Sequence, residues 1–371
     1  MRLWHTTDLA RVALWVALAV PLQAQEFTLQ DFERAIATLC ERSTPALVRV
    51  KAVLPDDAGG LEPNQPGVKM RVGTGFFVDP KGEIFTAANV VAGAQKVFVE
   101  WQNQRFDARL VGVDRDRSNL AMLSLTGLPP TVKFPALALC TTGYPKVGSF
   151  VTMLGFPGDL PPSPSVGVVG GMAMYRYTPV MLTRVNVSPG EIGAPFLNTR
   201  GEVVAMLYGS SAQMPNVALA LPASAAQRVA ADLRQFGEPR YGSFGIGVSQ
   251  VVVQTNTNAT LQPAIRVDQV VPGTVAAQAG VKPGDLLLAI NQKPVRVLAD
   301  LTEAMFYMRV GEQVQMQVLR SNQVNQVSFG VATRKPAVAS GSPRSDASAG
   351  ESGPRPVQIV PASATGVLDK R

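Results

Sequence analysis

Gly73-Thr74-Gly75-Phe76-Phe77-Val78-Asp79-Pro80-Lys81-Gly82-Glu83-Ile84-Phe85-Thr86-Ala87-Ala88-Asn89-Val90-Val91 is the stretch on which the fold turns. Its Gly75–Val78 segment reads as a short strand, and many others follow the same pattern. They include 47–53 (LVRVKAV), 96–100 (KVFVE), 151–154 (VTML) and 202–207 (EVVAML), with Gly, Pro, Asp and Asn at the turns between them. Short strands at this spacing, from Val48 to about Ile246, predict a mainly β region built as a barrel or sandwich. A helix over Ala223–Phe236, with Pro222 before it and Gly237 after it, closes that region. A second unit, Tyr241 to Ala332, reads as strand, loop, strand, short helix, two strands, helix and two strands.

Upstream, Thr28 and Asp31 have capping-box spacing, and Phe32, Ile36, Leu39 and Cys40 recur on one helical face that Pro45 ends. Residues 1–24 read as a secretory signal, with Arg2 and Arg11 ahead of or within the start of an apolar run, Val12–Leu22. That run is shorter than the roughly 20 residues a membrane helix needs, which favours a cleaved signal, with an uncleaved membrane anchor as the other reading. The division expected is signal 1–24, N-terminal helix 25–45, barrel region 46–239, second unit 240–333 and a tail 334–371. The tail is rich in Ala, Ser, Gly and Pro, a composition that predicts disorder. Residues 54–68 predict a surface loop.

The chain has 371 residues, 46% hydrophobic and 16% charged, the profile of a globular protein. Its single histidine is His5, inside the signal-like segment. Without that segment no imidazole remains, which removes histidine bases and histidine metal ligands from consideration. Neither cofactor nor metal is expected. The net charge of +7 comes with no Lys/Arg run interleaved with aromatics, so nucleic-acid binding is not expected. Cys40 and Cys140 are the two cysteines. A disulfide between them would contribute about 4–5 kcal/mol in the chain-entropy treatment. Two separately buried thiols fit the sequence equally well.

The 73–91 stretch resembles the start of the trypsin-like domain in the HtrA (Deg) family of exported proteases, where a Gly-Ser-Gly-Phe strand leads to Leu-Thr-Asn-x-His-Val-Val. The resemblance continues through Val111–Asp114 to Asn119–Leu123, the family's aspartate segment, and through Leu154-Gly155-Phe156-Pro157, its Gly-x-Pro turn. Ser188-Pro189-Gly190-Glu191-Ile192-Gly193-Ala194-Pro195-Phe196 resembles its nucleophile loop. Residues 272–291 (PGTVAAQAGVKPGDLLLAIN) are very similar to bacterial PDZ domains. The resemblance spans about residues 30–332 and implies a trypsin-like double β-barrel followed by a PDZ domain.

Residue by residue, the chemistry does not carry over. A serine protease needs a hydroxyl nucleophile, an imidazole base and an orienting carboxylate. The matching positions hold Ile192, Asn89 and Asn119. Ser188 sits at the family's asparagine position, and no lysine in that loop could serve it as a base. The resemblance therefore implies a pseudoprotease. Glu191 and Ala194 also replace the family's Asn and Gly beside the nucleophile. Glu191 is expected to set a negative charge near an oxyanion, and Ala194 to strain the backbone.

The PDZ resemblance implies uptake of a peptide C-terminus by strand addition, with backbone donors capturing its carboxylate. The loop Gly245-Ile246-Gly247-Val248 and the helix around 300–308 are the expected peptide-binding elements; Leu301, Met305 and Met308 share one helical stripe, part of which must be core while part lines the groove. The family also implies a homotrimer or a mixed assembly with an active relative. Phe27 and Phe32 would supply the contacts, although packing on the protein's own barrel suits them as well.

Overall fold

The computed structural model describes residues 28–55, 70–129, 131–140, 142–211, 214–255 and 258–333. The signal-like segment, Phe27, most of the 54–68 loop and the tail lie outside these residues. Helix α1 (Leu29–Ser43) starts with the expected capping box: the Thr28 N–H donates to Asp31 at 3.0 Å, and Thr28 Oγ1 accepts from the Asp31 N–H at 3.2 Å.

Two closed six-stranded antiparallel barrels follow, giving the mainly β class read from the sequence. The first contains β1 (Leu47–Val53), β2 (Met70–Phe77), β3 (Glu83–Ala87), β4 (Lys96–Trp101), β5 (Gln104–Asp114) and β6 (Leu120–Leu125), in the order β1-β2-β3-β6-β5-β4. The second contains β7 (Phe150–Gly155), β8 (Ser163–Tyr175), β9 (Thr178–Thr183), β10 (Pro195–Leu197), β11 (Val203–Ser211) and β12 (Met214–Pro222), in the order β10-β11-β12-β9-β8-β7.

Alternation along the strands explains the packing. Phe77, Ile84, Ala121 and Leu123 fill the first barrel, while their neighbours Phe76, Phe85, Leu120 and Met122 point the other way into a second apolar cluster. Leu154, Leu197, Met206 and Leu221 of the second barrel join that cluster, as do Ala225, Ala226, Val229, Ala230 and Leu233 of helix α3 (Ala223–Phe236). Helix α2 (Ala88–Val91) is a single turn after β3. Several strands are buried on both faces, so they read as continuous apolar runs rather than as alternating ones.

The PDZ unit holds β13 (Gly242–Ser243), β14 (Ile246–Thr255), β15 (Asn258–Val270), α4 (Val275–Gln278), β16 (Leu286–Ile290), β17 (Lys293–Pro294), α5 (Leu298–Tyr307), β18 (Gln313–Arg320), β19 (Gln323–Gly330) and β20 (Ala332–Thr333). Its main sheet runs β14-β15-β16-β18-β19, with β17 paired to β16. Asp285 of the Pro-Gly-Asp turn is buried and takes a two-pronged pair from Arg320, with both contacts at 2.7 Å. Burial pushes its carboxyl up, but the Arg320 guanidinium and the Lys282 N–H outweigh this and hold it below the usual range.

The PDZ unit is tied to the barrels through α5 and α3. Phe306 inserts into the cluster that α3 covers. Buried Arg228 donates to the carbonyls of Met308 at 3.0 Å and Arg240 at 2.9 Å, and pairs with Asp232 at 2.6 Å. Tyr307 Oη lies 3.0 Å from Ser224 Oγ and 2.9 Å from Tyr144 Oη, and Tyr144 donates to Glu303 at 2.5 Å.

Cys40 and Cys140 are free thiols, so the disulfide is not formed. Cys40 packs on the cluster under α3 and Cys140 on the core of the second barrel, which places the two thiols in different apolar environments.

Candidate functional site

The positions matching the triad come together where the barrels meet. β3 ends at Ala87, and the Ala88 N–H that opens α2 donates to the Asn119 carbonyl at 2.8 Å. Asn89 follows. Its N–H donates to Asn119 Oδ1 at 2.9 Å, and its side chain is exposed. Asn119 is buried, sits at φ +52°, and donates from Nδ2 to the Tyr208 carbonyl of β11 at 2.9 Å. A backbone N–H on one side and a carbonyl on the other require both ends of an amide, so the orientation of Asn119 is fixed. The left-handed backbone also favours asparagine over most residues. Its loop is held by buried Asp114, which accepts from the Ser118 N–H at 2.9 Å, from Ser118 Oγ at 2.6 Å and from the Tyr241 hydroxyl. Arg71 caps α2 by donating to the carbonyls of Asn89 and Ala92.

The loop 188–194 carries Ile192, whose side chain packs against the cores of both barrels. The loop is stitched to the first barrel by Thr74. Its N–H donates to the Ile192 carbonyl at 2.9 Å, its hydroxyl donates to Gly190 at 2.8 Å, and that hydroxyl accepts from the Phe156 N–H at 3.0 Å. Gly193, at φ +92°, is needed for close approach: a Cβ there would stand 2.3 Å from the Thr74 carbonyl. Gly190, at φ +93°, is similarly pressed against the Phe156 carbonyl, 2.5 Å from an added Cβ. Sequence reading missed Thr74 as the linchpin. Its signal was the hydroxyl in Gly73-Thr74-Gly75, at the serine position of the family's Gly-Ser-Gly.

Both replaced residues of this loop have defined places in the structure. The Glu191 carboxylate is buried, 3% exposed, where it accepts from the Ser188 N–H at 2.6 Å and closes the loop on itself. Burial pushes that carboxyl up, opposed by the Ser188 N–H. Ala194 is not strained: it is absent from the residues with positive φ, its N–H donates to Glu191 at 2.8 Å, and its carbonyl accepts from Leu207 at 2.7 Å.

Chemically, the site offers two amides and a hydrocarbon. An amide has no basicity at neutral pH, and isoleucine has no nucleophilic atom. Among the described residues, no group of three or more His, Cys, Asp or Glu is placed to hold a metal.

In the PDZ unit, β14 is the edge strand beside α5. Only Gly245, at φ +78°, is a loop residue of the expected carboxylate-binding loop. Ile246, Gly247 and Val248 already lie on β14, paired with Val270, Gln269 and Val267. Ile246, Val248, Met305 and Leu298 are half-buried against the PDZ core, and the Leu298 N–H donates to the Gln250 side chain at 3.1 Å, fixing α5 to β14. Leu301 departs from the expected role: at 2% exposed it is core, because its helical face turns under the sheet. The helix begins at Leu298, two residues earlier than read, so Leu298 is a groove residue the sequence reading missed.

Two closed barrels that meet at one junction, followed by a sheet-edge groove, define a trypsin-like peptidase domain linked to a PDZ domain. Comparison with known proteins agrees. The Trypsin-like peptidase domain family matches residues 73–206 and the PDZ domain family matches residues 244–331. A probable periplasmic serine endoprotease, DegP-like, of Hahella chejuensis is 28% identical over 84% of this chain and 72% of its own length. The periplasmic pH-dependent serine endoprotease DegQ of Escherichia coli is 27% identical over 77% of this chain and 68% of its own. The serine endoprotease from Yersinia pestis superposes with TM-score 0.57 at 25% identity, covering 81% of this chain and 98% of that one. The HtrA-type protease AlgW with tripeptide shares the fold, with TM-score 0.65 at 20% identity over 81% of this chain and 97% of that one. The chain thus carries a trypsin-like peptidase domain and a PDZ domain, and along most of its length it is similar to HtrA- and DegP-type serine endoproteases.

Proposed function

We propose that this chain is an exported HtrA-like pseudoprotease that binds peptides or protein C-termini through its PDZ domain. It would act as a scaffold, a chaperone-like binder, or a regulatory subunit for an active relative. The observation that carries this reading is Ile192 at the nucleophile position, its side chain packed into both barrel cores. Amides at Asn89 and Asn119, in a chain whose single histidine is His5, support it. The relatives' names, which place them in the periplasm, and the apolar Val12–Leu22 run support export. Among the described residues no helix is long and apolar enough to cross a membrane.

Binding would place the peptide's free carboxylate at the Gly245 end of β14 and its backbone along that strand, with Met305 and Leu298 offering apolar contact. The relatives' names also favour a second reading, an active serine endopeptidase. Casein degradation by the purified protein separates the two. No cleavage above a blank is expected; reproducible cleavage lost on Ile192→Ala would overturn the pseudoprotease reading. For the groove, amidating a peptide's C-terminus should weaken binding roughly tenfold, about 1.4 kcal/mol. Equal affinity for the acid and the amide would count against the Gly245 end as the carboxylate site.

A further inference from the structure

β14 is longer than the groove it forms. Its 10 residues reach roughly 30 Å at about 3.3 Å per residue. Helix α5, also of 10 residues, covers about 15 Å at 1.5 Å per residue. The N-terminal end of α5 is fixed at Gln250 by the Leu298 N–H. The helix therefore walls β14 from Ile246 to about Gln250, and Val251–Thr255 run on past it.

That distal half stands clear of the rest of the sheet. β15 pairs with β14 along its length, from Val251↔Ala264 to Gln254↔Leu261, but β16 pairs with β15 only at Ile265 and Arg266. The result is a two-stranded ribbon. Among the described residues, no strand pairs with the outer edge of β14. Proteins usually blunt such edges with charge, proline or brevity. From Val251 to Ile265 there is no charged residue. Pro263 blunts the β15 side, since it has no N–H, whereas β14 has no proline. The register puts Val252, Gln254, Leu261 and Pro263 on one face, and Val252 and Leu261 are 64% and 65% exposed. The β14 edge is thus the one left able to donate and accept along its whole length, and it is continuous with the groove.

Resting on the peptide-binding reading above, we infer that Val251–Thr255 is a second recognition zone. It takes up the residues upstream of a bound C-terminus as an added β-strand. The occupant it fits is an extended, uncharged, proline-free segment rich in β-branched residues. Cross-strand contact with Val252 favours such side chains. Proline would interrupt the ladder, and a charge would find no partner on the ribbon.

The test uses calorimetry with the full chain and three synthetic peptides. One is an apolar tetrapeptide with a free C-terminus. The second is a nonapeptide that adds five upstream Thr, Val and Gln residues, and the third is the same nonapeptide with two of those five replaced by proline. The nonapeptide should bind at least about tenfold tighter than the tetrapeptide, and the proline version should fall back to the tetrapeptide's affinity. Replacing residues 252–263 by an Asn-Gly turn should abolish the length effect and leave tetrapeptide binding intact; Val252→Lys should reduce it without shortening the hairpin. Equal affinity for tetrapeptide and nonapeptide, or a length effect that survives shortening, would overturn the second zone while leaving the groove standing. A change in assembly size on shortening, with length-independent binding, would reassign the ribbon to pairing between copies. Binding of none of the peptides would sink the groove reading and this inference with it.

Discussion

Asn119→Asp puts an aspartate where the family resemblance places one, and the structure says it should destabilise the protein. Asn119 accepts the Asn89 N–H through Oδ1 and donates through Nδ2 to the Tyr208 carbonyl, both at 2.9 Å. A carboxylate keeps the first bond and reverses the second, setting an anionic oxygen against a carbonyl oxygen at a position 7% exposed. Losing the bond costs about 1 kcal/mol, and leaving the buried pair unsatisfied costs a further 1–3 kcal/mol, for a total of roughly 2–4 kcal/mol at neutral pH. The backbone contributes little, because aspartate tolerates the φ of +52° nearly as well as asparagine does. The penalty falls on the charged form, so the folded-state pKa of the new carboxyl lies above its unfolded value of about 3.9. Stability relative to the parent is therefore lost as pH rises through that window, and recovered below about pH 4, where a protonated carboxyl can donate to Tyr208. Urea denaturation of protein lacking residues 1–24 would measure this. There Trp101 is the sole tryptophan, and it reports the first barrel from its contacts with Phe77 and Phe134. A variant as stable as its parent at pH 8, or one whose deficit grows toward acid, would refute the amide-specific network.

Four further outcomes follow from the same contacts. The triple change Asn89→His, Asn119→Asp, Ile192→Ser should give little casein cleavage, because it combines that penalty with removal of the side chain that both barrels pack against; robust cleavage would show the cleft is still preorganised. Gly193→Ala and Gly201→Ala share a left-handed backbone, worth about 1–2 kcal/mol, but only the first meets backbone atoms, at 2.3 and 2.9 Å. Gly193→Ala should lose several kcal/mol more in the same urea assay, or fail to fold, and equal losses would refute the close approach. Burial raises the Glu191 carboxyl, so wild-type stability contributed by this group is lost as pH rises through the raised value; Glu191→Gln should flatten that slope between pH 4 and 8, and parallel profiles would count against it. Arg320→Met strands the buried Asp285 charge and should cost about 3–5 kcal/mol at pH 7 in thermal unfolding, with the deficit shrinking as acid protonates Asp285; an unchanged melting temperature would show the pair is dispensable.

The linear sequence was enough to determine the class of each unit and which residues stand at the positions its resemblance matches to a triad. Strand periodicity, turn residues and the Pro-Gly-Asp segment are local signals, and the identity of a side chain at a matched position needs no coordinates. That Ile192 cannot attack a carbonyl is chemistry legible in one letter. What the side chains do instead depended on contacts between residues far apart in the chain. Asn119 meets Tyr208 across 89 positions and Thr74 meets Gly190 across 116, because two barrels closed on each other bring those loops to one junction. The same closure buried Glu191 against a loop N–H, and let Ala194 sit on an ordinary backbone. Helical spacing put Leu301 and Met305 on one stripe, but only the sheet beneath α5 decides which of them is core and which borders the groove. The length of β14 beyond α5 was equally out of reach of the sequence. Whether a strand edge is open depends on which neighbours pair with it, and pairing is decided by the whole sheet rather than by the strand.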